Sequence, residues 1–256
     1  MDLKGKNVII TGASRGIGKA IAEKLAENGA NIVIAARGKE ALEKAVEEIK
    51  NVTKSKVIGV VTDVSRLEDL KNLYETAKKQ LGRVDILINN AGVSSQYPFD
   101  KQPLEDIENL AHTNYLGYVR LIRLVIPEMI ERKEGSIINM VSGSTLVDPV
   151  PKTFVTYSSL KVGLRAFLKG LFWEMRDYNI KITSILPGVV DTDLTGKLQN
   201  IAQEQIDRLM SAKTVVDMVM FALSVPNNAC PLELAVINQQ TPWTKPVIDY
   251  EQKQAR

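Results

Sequence analysis

Cysteine and histidine are nearly absent from this chain, with one of each in 256 residues. A lone thiol cannot close an internal disulfide. Cys230 has neither the spacing of a metal site nor a histidine partner for nucleophilic catalysis, so it reads as a small core residue. The single histidine, His112, reads as a packing or surface residue, and no metal is expected. Net charge is also small. Thirty-three Lys and Arg against 30 Asp and Glu leave +3 at pH 7, too little to suggest nucleic acid or an anionic membrane as partner. Long apolar runs are missing as well. "MDLKGKNVII" has no stretch long enough for a signal peptide, and the most apolar helical segment, Val215 to Val225, carries Asp217 and is too short to span a bilayer. A cytoplasmic protein without a membrane segment is the expectation. No linker, low-complexity tract or short repeat interrupts the chain. One domain over 1–256 is therefore expected, with 241–256 forming a tail on the surface or on another subunit.

What is present is alternation. Short Val/Ile-rich runs at Asn7–Thr11, Asn31–Ala36, Lys56–Thr62, Ile86–Asn89, Ser136–Val141, Lys181–Leu186 and Leu234–Ile237 read as strands. Between them, 3.6-residue periodicity predicts helices near Gly16–Asn28, Lys39–Lys50, Leu67–Leu81, Leu104–Glu131, Phe154–Tyr178 and Lys213–Ser224, with a looser helical stretch over Leu194–Leu209. "NVII", "NIVIAA" and "VDILIN" are apolar almost throughout, so these strands are covered on both faces. The pattern predicts an α/β, Rossmann-type doubly wound sheet of seven mostly parallel strands with helices on both sides.

Two short stretches carry chemistry. After the first strand, "TGASRGIG" spaces Gly12, Gly16 and Gly18 as G-x-x-x-G-x-G. Such a turn lets the backbone approach a pyrophosphate at a helix N-terminus. Further on, "YSSLK" sets Tyr157 and Lys161 four residues apart, on one face of a helix. A phenol, with its pKa of about 10, is a poor base near neutrality, and a nearby ammonium favours the phenolate. Y-x-x-x-K alone is a permissive pattern.

With "DV" at Asp63–Val64, "NNAG" at Asn89–Gly92, Asn114 in "HTNYLG" and "PGVVDT" at Pro187–Thr192, the chain resembles the short-chain dehydrogenase/reductase family over nearly its whole length. The resemblance implies hydride transfer between a nicotinamide dinucleotide and a carbonyl or alcohol. Tyr157 would be the general acid/base, Lys161 would lower its pKa and bind the nicotinamide ribose, and Asn114 would hold a water through its backbone carbonyl. It also implies a cofactor site made of Gly12, Ser14, Arg15, Gly16, Ile17, Gly18, Asp63, Val64, Asn90, Ala91, Gly92, Pro187, Gly188, Val190 and Thr192 together with Tyr157 and Lys161. For the catalytic serine, alignment through "GSIIN" selects Ser142 at a strand end, while Ser144 fits the family's usual interval to the tyrosine. Ser142 is preferred and Ser144 stays open.

The second strand ends "VIAARGKE". Ala36 stands where NAD-preferring members carry an acid, and Arg37 follows it. Guanidinium groups suit a 2′-phosphate, so Arg37, helped by Arg15, favours NADP(H) over NAD(H). Ser144, Val93, Tyr97, Phe99, Leu146, Val147, Val150, Phe154 and Leu198 are the expected substrate lining. They are mostly apolar without clustered cations, which fits a neutral, moderately hydrophobic small-molecule ketone, aldehyde or secondary alcohol. The chain departs from the family in lacking the usual "DGG" turn near its end. Apolar faces in "LIRLVIPEMI" and "LRAFLKGLFWEM" still suggest a homodimer or homotetramer. Two other functions are compatible with a dinucleotide site. A cofactor-sensing regulator would need none of Ser142, Tyr157 and Lys161, and an NAD-dependent epimerase or dehydratase is disfavoured by the glycine spacing and by Ala36.

Overall fold

The computed structural model describes residues 2–147, 152–192, 203–240 and 242. Seven strands form one sheet: β1 (Asn7–Thr11), β2 (Asn31–Ala36), β3 (Val57–Val61), β4 (Ile86–Asn89), β5 (Gly135–Met140), β6 (Ile180–Pro187) and β7 (Glu233–Val236). Their order is β3-β2-β1-β4-β5-β6-β7, and every pairing is parallel, so the edge strand β7 is parallel too. The helices are α1 (Gly16–Glu27), α2 (Lys39–Lys50), α3 (Leu67–Leu81), α4 (Leu104–Ala111), α5 (Gly117–Arg132), α6 (Val155–Met175) and α7 (Ala212–Ser224). This is a single-domain Rossmann-like fold.

The two-sided burial expected from the apolar strands is visible residue by residue. Val8, Ile10, Ile32 and Ile34 point into a core shared with α1, α2 and α7. Ile9, Val33, Leu87 and Ile137 point the other way, against α3, α5 and α6. Successive strand residues face opposite sides, so a strand sandwiched between helix layers must be apolar at every position.

The helix read over Leu104–Glu131 differs from expectation. His112–Leu116 winds as a π-helical turn between α4 and α5, and the Gly117 N–H bonds back to His112 O. Gly117 is needed there because a Cβ would lie 2.8 Å from Val64 O. Of the looser stretch over Leu194–Leu209, a 3-10 helix at Gln203–Arg208 is described, while 193–202 lie outside the described residues. The tail 241–256 lies outside them too, except for buried Pro242.

Because the strands run in one direction, their C-terminal ends and following loops share one edge of the sheet. Sheet order reverses between β1 and β4, which opens a crevice at that edge. The β1–α1 turn enters the crevice through Gly12, whose φ is +66° and where a Cβ would lie 2.7 Å from Ala91 Cα. Gly82, after α3, has φ +86° with no atom within 4 Å of such a Cβ. Left-handed backbone costs a non-glycine residue about 1–2 kcal/mol, and overpacking adds about 1–3 kcal/mol. Gly12→Ala is therefore expected to destabilise by about 2–4 kcal/mol and Gly82→Ala by about 1–2 kcal/mol in urea unfolding. Equal losses would show that the contact with Ala91 relaxes at no cost.

Candidate active site

The crevice is a cleft of about 500 Å³. One end is walled by Ala36, Arg37, Gly38, Thr62, Asp63 and Val64, the floor is the turn Gly12 to Gly18, and the other end holds Asn114, Ser142, Tyr157 and Lys161. Ser14, Arg15, Ile17, Asn90, Ala91, Gly92, Pro187, Gly188, Val190 and Thr192 complete the lining. All the residues named as cofactor-binding from the sequence meet at this one cleft.

Its floor is tied by hydrogen bonds. Thr11 Oγ1 accepts from Asn90 N and Ala91 N at 3.0 and 3.1 Å, and Asn90 Nδ2 donates to the Thr11 and Gly12 carbonyls at 3.0 and 3.1 Å. Asn90 thus holds the glycine turn against the end of β4. Gly18 is needed at this junction, because a Cβ there would lie 2.5 Å from Asn90 Nδ2 and from Gly12 O.

At the β2 end, burial raises the Asp63 carboxyl. Hydrogen bonds from the Ser65 hydroxyl and N–H, with Arg37 and Arg66 nearby, outweigh burial and hold it below the usual carboxylate range. Ser65 Oγ and N donate to Asp63 Oδ1 at 2.7 and 3.0 Å.

At the other end, Ser142 ends the run after β5 and begins a 3-10 turn, Gly143–Leu146, with Ser144 N donating to Ser142 Oγ at 3.1 Å. The Tyr157 phenol is pushed up by burial and pulled back down by a hydrogen bond with Ser142. Ser142 therefore faces the tyrosine. Ser144 Oγ is buried without a partner and does not line the cleft. Asn114, fully buried in the π turn, uses its side chain on Val93: Oδ1 accepts from Val93 N at 3.0 Å and Nδ2 donates to Val93 O at 2.8 Å. This anchors the loop leaving β4.

Lys161 is buried, and its ammonium turns to the Met140 carbonyl, 2.8 Å away, and to Tyr118, whose ring centroid is 4.7 Å away. Burial lowers its pKa from 10.5 to about 7. The shift of the Tyr157 phenol arises from burial and Ser142, and Lys161 is not among its causes.

Several groups at the site escaped the sequence reading. Tyr118 lies one helical step beyond Asn114, a spacing that could have revealed it. Arg165, four residues after Lys161, donates to Thr145 O at 3.0 Å and forks onto Glu233 at 2.6 and 2.7 Å, so it ties the Ser142 turn to β7. Asn238 fixes the "PGVV" loop through Val189 N and O at 2.7 and 2.8 Å. Neither Arg165 nor Asn238 belongs to a local pattern that marks it.

The substrate lining is where the structure departs most from expectation. Among the described residues of that set, only Val93 lines the cleft. Phe99 sits on a short 3-10 turn at 66% exposure, and Tyr97 and Leu146 are also exposed. Ser144 and Val147 are not among the lining residues, and Phe154 packs its ring edgewise on Tyr157 at 6.1 Å between centroids. Loop position and apolar character did not distinguish residues facing the cleft from residues facing water. Val150 and Leu198 lie outside the described residues.

The glycine turn, the cations at Arg15 and Arg37 and the polar floor suit a phosphate-bearing dinucleotide, and the small residues leave room for its close approach. Comparison with known proteins agrees. The short chain dehydrogenase profile matches residues 6–203, and the chain belongs to that family. An uncharacterized oxidoreductase of Staphylococcus saprophyticus is 31% identical over 236 residues, covering 92% of this chain and 98% of the relative. One from Staphylococcus aureus strain MW2 is 30% identical over 234 residues, covering 91% and 97%. Among solved structures, an alcohol dehydrogenase from the archaeon Thermococcus sibiricus, complexed with 5-hydroxy-NADP, superposes with a TM-score of 0.83 at 26% identity, covering 93% of this chain and 98% of that one. A metagenomic short-chain oxidoreductase in complex with NADP gives a TM-score of 0.79 at 26% identity, with 94% and 100% covered. The protein is an oxidoreductase of the short-chain type. Among the described residues no helix is long and apolar enough to cross a membrane, and no cluster of His, Cys, Asp and Glu could hold a metal.

The buried lysine makes a prediction that needs no turnover. Its folded pKa of about 7 lies below the ordinary lysine value of 10.5, so between these values the unfolded chain holds a proton that the folded chain has released. Stability therefore rises with pH through that window, and the destabilisation from Lys161 is complete below it. Lys161→Met is expected to raise the Tm by about 4–8 °C at pH 6 and by less at pH 9. A gain independent of pH would mean that the ammonium is not desolvated.

Proposed function

We propose that the protein is an NADP(H)-dependent oxidoreductase acting on a neutral, moderately hydrophobic ketone, aldehyde or secondary alcohol, with Tyr157 as general acid/base. The observation that carries this reading is the convergence of Ser142, Tyr157 and Lys161 at one end of a cleft whose other end presents Arg37. NADP(H), bound along the glycine turn, supplies the hydride chemistry. Tyr157 gives its phenolic proton to the substrate oxygen during reduction and takes it back during oxidation. Ser142 holds that oxygen. Lys161 binds the ribose and stabilises the phenolate. Val93, Met140, Val141 and the adjacent Phe154 make the described wall around Tyr157 apolar, in keeping with a neutral substrate. The NADP-type molecules held by two similar structures support the phosphate-bearing cofactor. A cytoplasmic homodimer or homotetramer accompanies this reading, paired through the apolar helix faces.

Tyr157→Phe is expected to lower turnover about 10²–10⁴-fold in a carbonyl panel followed by reduced-nicotinamide absorbance, while NADPH binding survives. Near wild-type turnover would overturn the assignment. Lys161→Ala is expected to lose both rate and NADPH affinity, and an unchanged Kd would remove the ribose contact.

Cofactor choice follows from Arg37. A charge-assisted bond to a 2′-phosphate is worth roughly 1.5–3 kcal/mol, so Arg37→Ala is expected to weaken NADPH by about one to two orders of magnitude and to leave NADH nearly unchanged. The double variant with Ala36→Asp is expected to invert the preference, because the carboxylate repels the phosphate and accepts from ribose hydroxyls. Comparing kcat/KM for both cofactors tests this. Equal weakening of the two would reduce Arg37 to a loop residue.

A further inference from the structure

Tyr157 stands in the first turn of α6, where a helix frays most easily. The helix begins at Val155, so Tyr157 is its third residue, and the first backbone bond along it runs from Ser158 N to Phe154 O at 2.8 Å. Residues before Ser158 have N–H groups without a partner inside the helix, and a side-chain acceptor at the cap usually steadies them. Phe154 occupies the cap and has no such acceptor. Thr153, one residue earlier, has φ +69°, a left-handed conformation that a β-branched residue holds only when its surroundings impose it. The fastening comes from the loop between β4 and α4 and from α4 itself. Tyr97 N donates to Thr153 O at 3.2 Å, and Thr156 Oγ1 donates to Gln102 Oε1 at 2.5 Å. From its other end Gln102 Nε2 donates to Asp106 Oδ2 at 2.8 Å and lies 3.4 Å from Ser95 Oγ, which itself donates to Asp106 Oδ2 at 2.6 Å. An ionised carboxylate only accepts, so Asp106 turns the amide nitrogen of Gln102 toward itself and leaves the amide oxygen facing Thr156. Ser95, Gln102, Asp106 and Thr156 are half-buried, and none of them lines the cleft.

We propose that Gln102 and Asp106 are positioning residues, a polar clasp that holds the first turn of α6, through Thr156, at the place where Tyr157 meets Ser142. The bonds run from Thr156 to Gln102 to Asp106, with Ser95 bracing the carboxylate, and so tie the loop leaving β4 to the helix that carries the phenol. Bonds to a charged acceptor are stronger than those between neutral groups, and Asp106 takes two of them. Asn114 fixes the same loop near its start, at Val93, and the clasp fixes it near its end. The value of the clasp for turnover rests on the reading of Tyr157 given above, while the fastening of the turn is measurable without turnover.

The test is amide hydrogen exchange at Ser158, followed by NMR in the full-length protein as wild type, Thr156→Val, Thr156→Ser and Gln102→Glu. Valine keeps the size of Thr156 without its hydroxyl, and serine keeps the hydroxyl. Glutamate keeps the shape of Gln102 but sets a second carboxylate against Asp106 in place of a donor. Loss of the Thr156 bond is expected to speed exchange at Ser158 about two- to tenfold in Thr156→Val, with Thr156→Ser within about twofold of wild type. Gln102→Glu is expected to speed it at least as much near neutral pH, because like charges then face each other. In the same proteins kcat is expected to fall about tenfold in Thr156→Val and in Gln102→Glu and to be restored in Thr156→Ser, with the NADPH Kd little changed. Exchange that is equal in wild type and Thr156→Val, or that is unchanged in Gln102→Glu, overturns the proposal, even where Tyr157→Phe is inactive. Faster exchange in both variants supports the clasp even where Tyr157→Phe stays active, so the two readings fail separately. Full kcat in both loosened variants, beside an inactive Tyr157→Phe, overturns the role of the clasp in placing the phenol.

Discussion

The hydrogen bonds between Thr11 and Asn90 hold together what the rest of the site depends on. Strands β1 and β4 are neighbours at the point where sheet order reverses, and their outgoing loops must diverge to opposite faces while leaving a floor between them. Thr11 Oγ1 accepts from two successive N–H groups of the β4 loop, and Asn90 Nδ2 answers with bonds to two successive carbonyls of the β1 loop. Four bonds of about 3 Å thus satisfy backbone groups that leave the sheet ladder at this point, where each would otherwise need water. The glycines follow from this constraint. Gly12 passes under Ala91, and Gly18 starts α1 against Asn90, at distances no side chain could share.

A second layer of fastening surrounds the far end of the cleft, and it is built from polar side chains on neighbouring elements. Asn114 holds Val93, Arg165 holds the Ser142 turn against Glu233, and Asn238 holds the loop after β6. The Arg165 fork is stronger than an ordinary surface pair because it is bidentate and only partly exposed. The Arg165 hydrogen bond comes first among the causes that hold the Glu233 carboxyl below its usual range. These side chains bind loops, not ligand. They place Ser142 and Val93 relative to a helix that already carries Tyr157 and Lys161 at fixed spacing.

Much of this was legible in the sequence because it is periodic or local. Strands two-sided in their apolarity, a glycine turn after the first of them, and a phenol and an ammonium one helical step apart each leave a pattern within a dozen residues or so. The π turn at His112–Leu116 left none, because an extra residue per turn is set by how Gly117 packs on Val64, far away in sequence. Arg165 and Glu233 are 68 residues apart, and Asn238 meets a loop 49 residues upstream. Tyr118 looked like one more apolar residue on a buried helix face, and its hydroxyl gained meaning only when β5 brought Met140 O to it. Most of the described residues read as substrate lining lie off the cleft for a different reason. Much of any protein surface is apolar, so an apolar loop residue need not face a cleft, and Phe99, at 66% exposure, faces water.

The two ends of the cleft treat charge in opposite ways. Arg37 is exposed and lies near Asp63, whose carboxylate is held by Ser65, so that end of the cleft sets a solvent-facing cation beside an anion. Lys161 is the reverse case, a buried ammonium that pairs with no carboxylate among the described residues and whose pKa burial lowers to about 7. A strong carboxylate partner would fix that proton and would also oppose formation of a phenolate at Tyr157. The Met140 carbonyl, 2.8 Å from the nitrogen, holds it by dipole alone and adds no second charge to this end of the cleft. The cleft thus carries a solvent-facing cation at one end and a desolvated one at the other, and only the second has its pKa drawn down by its surroundings.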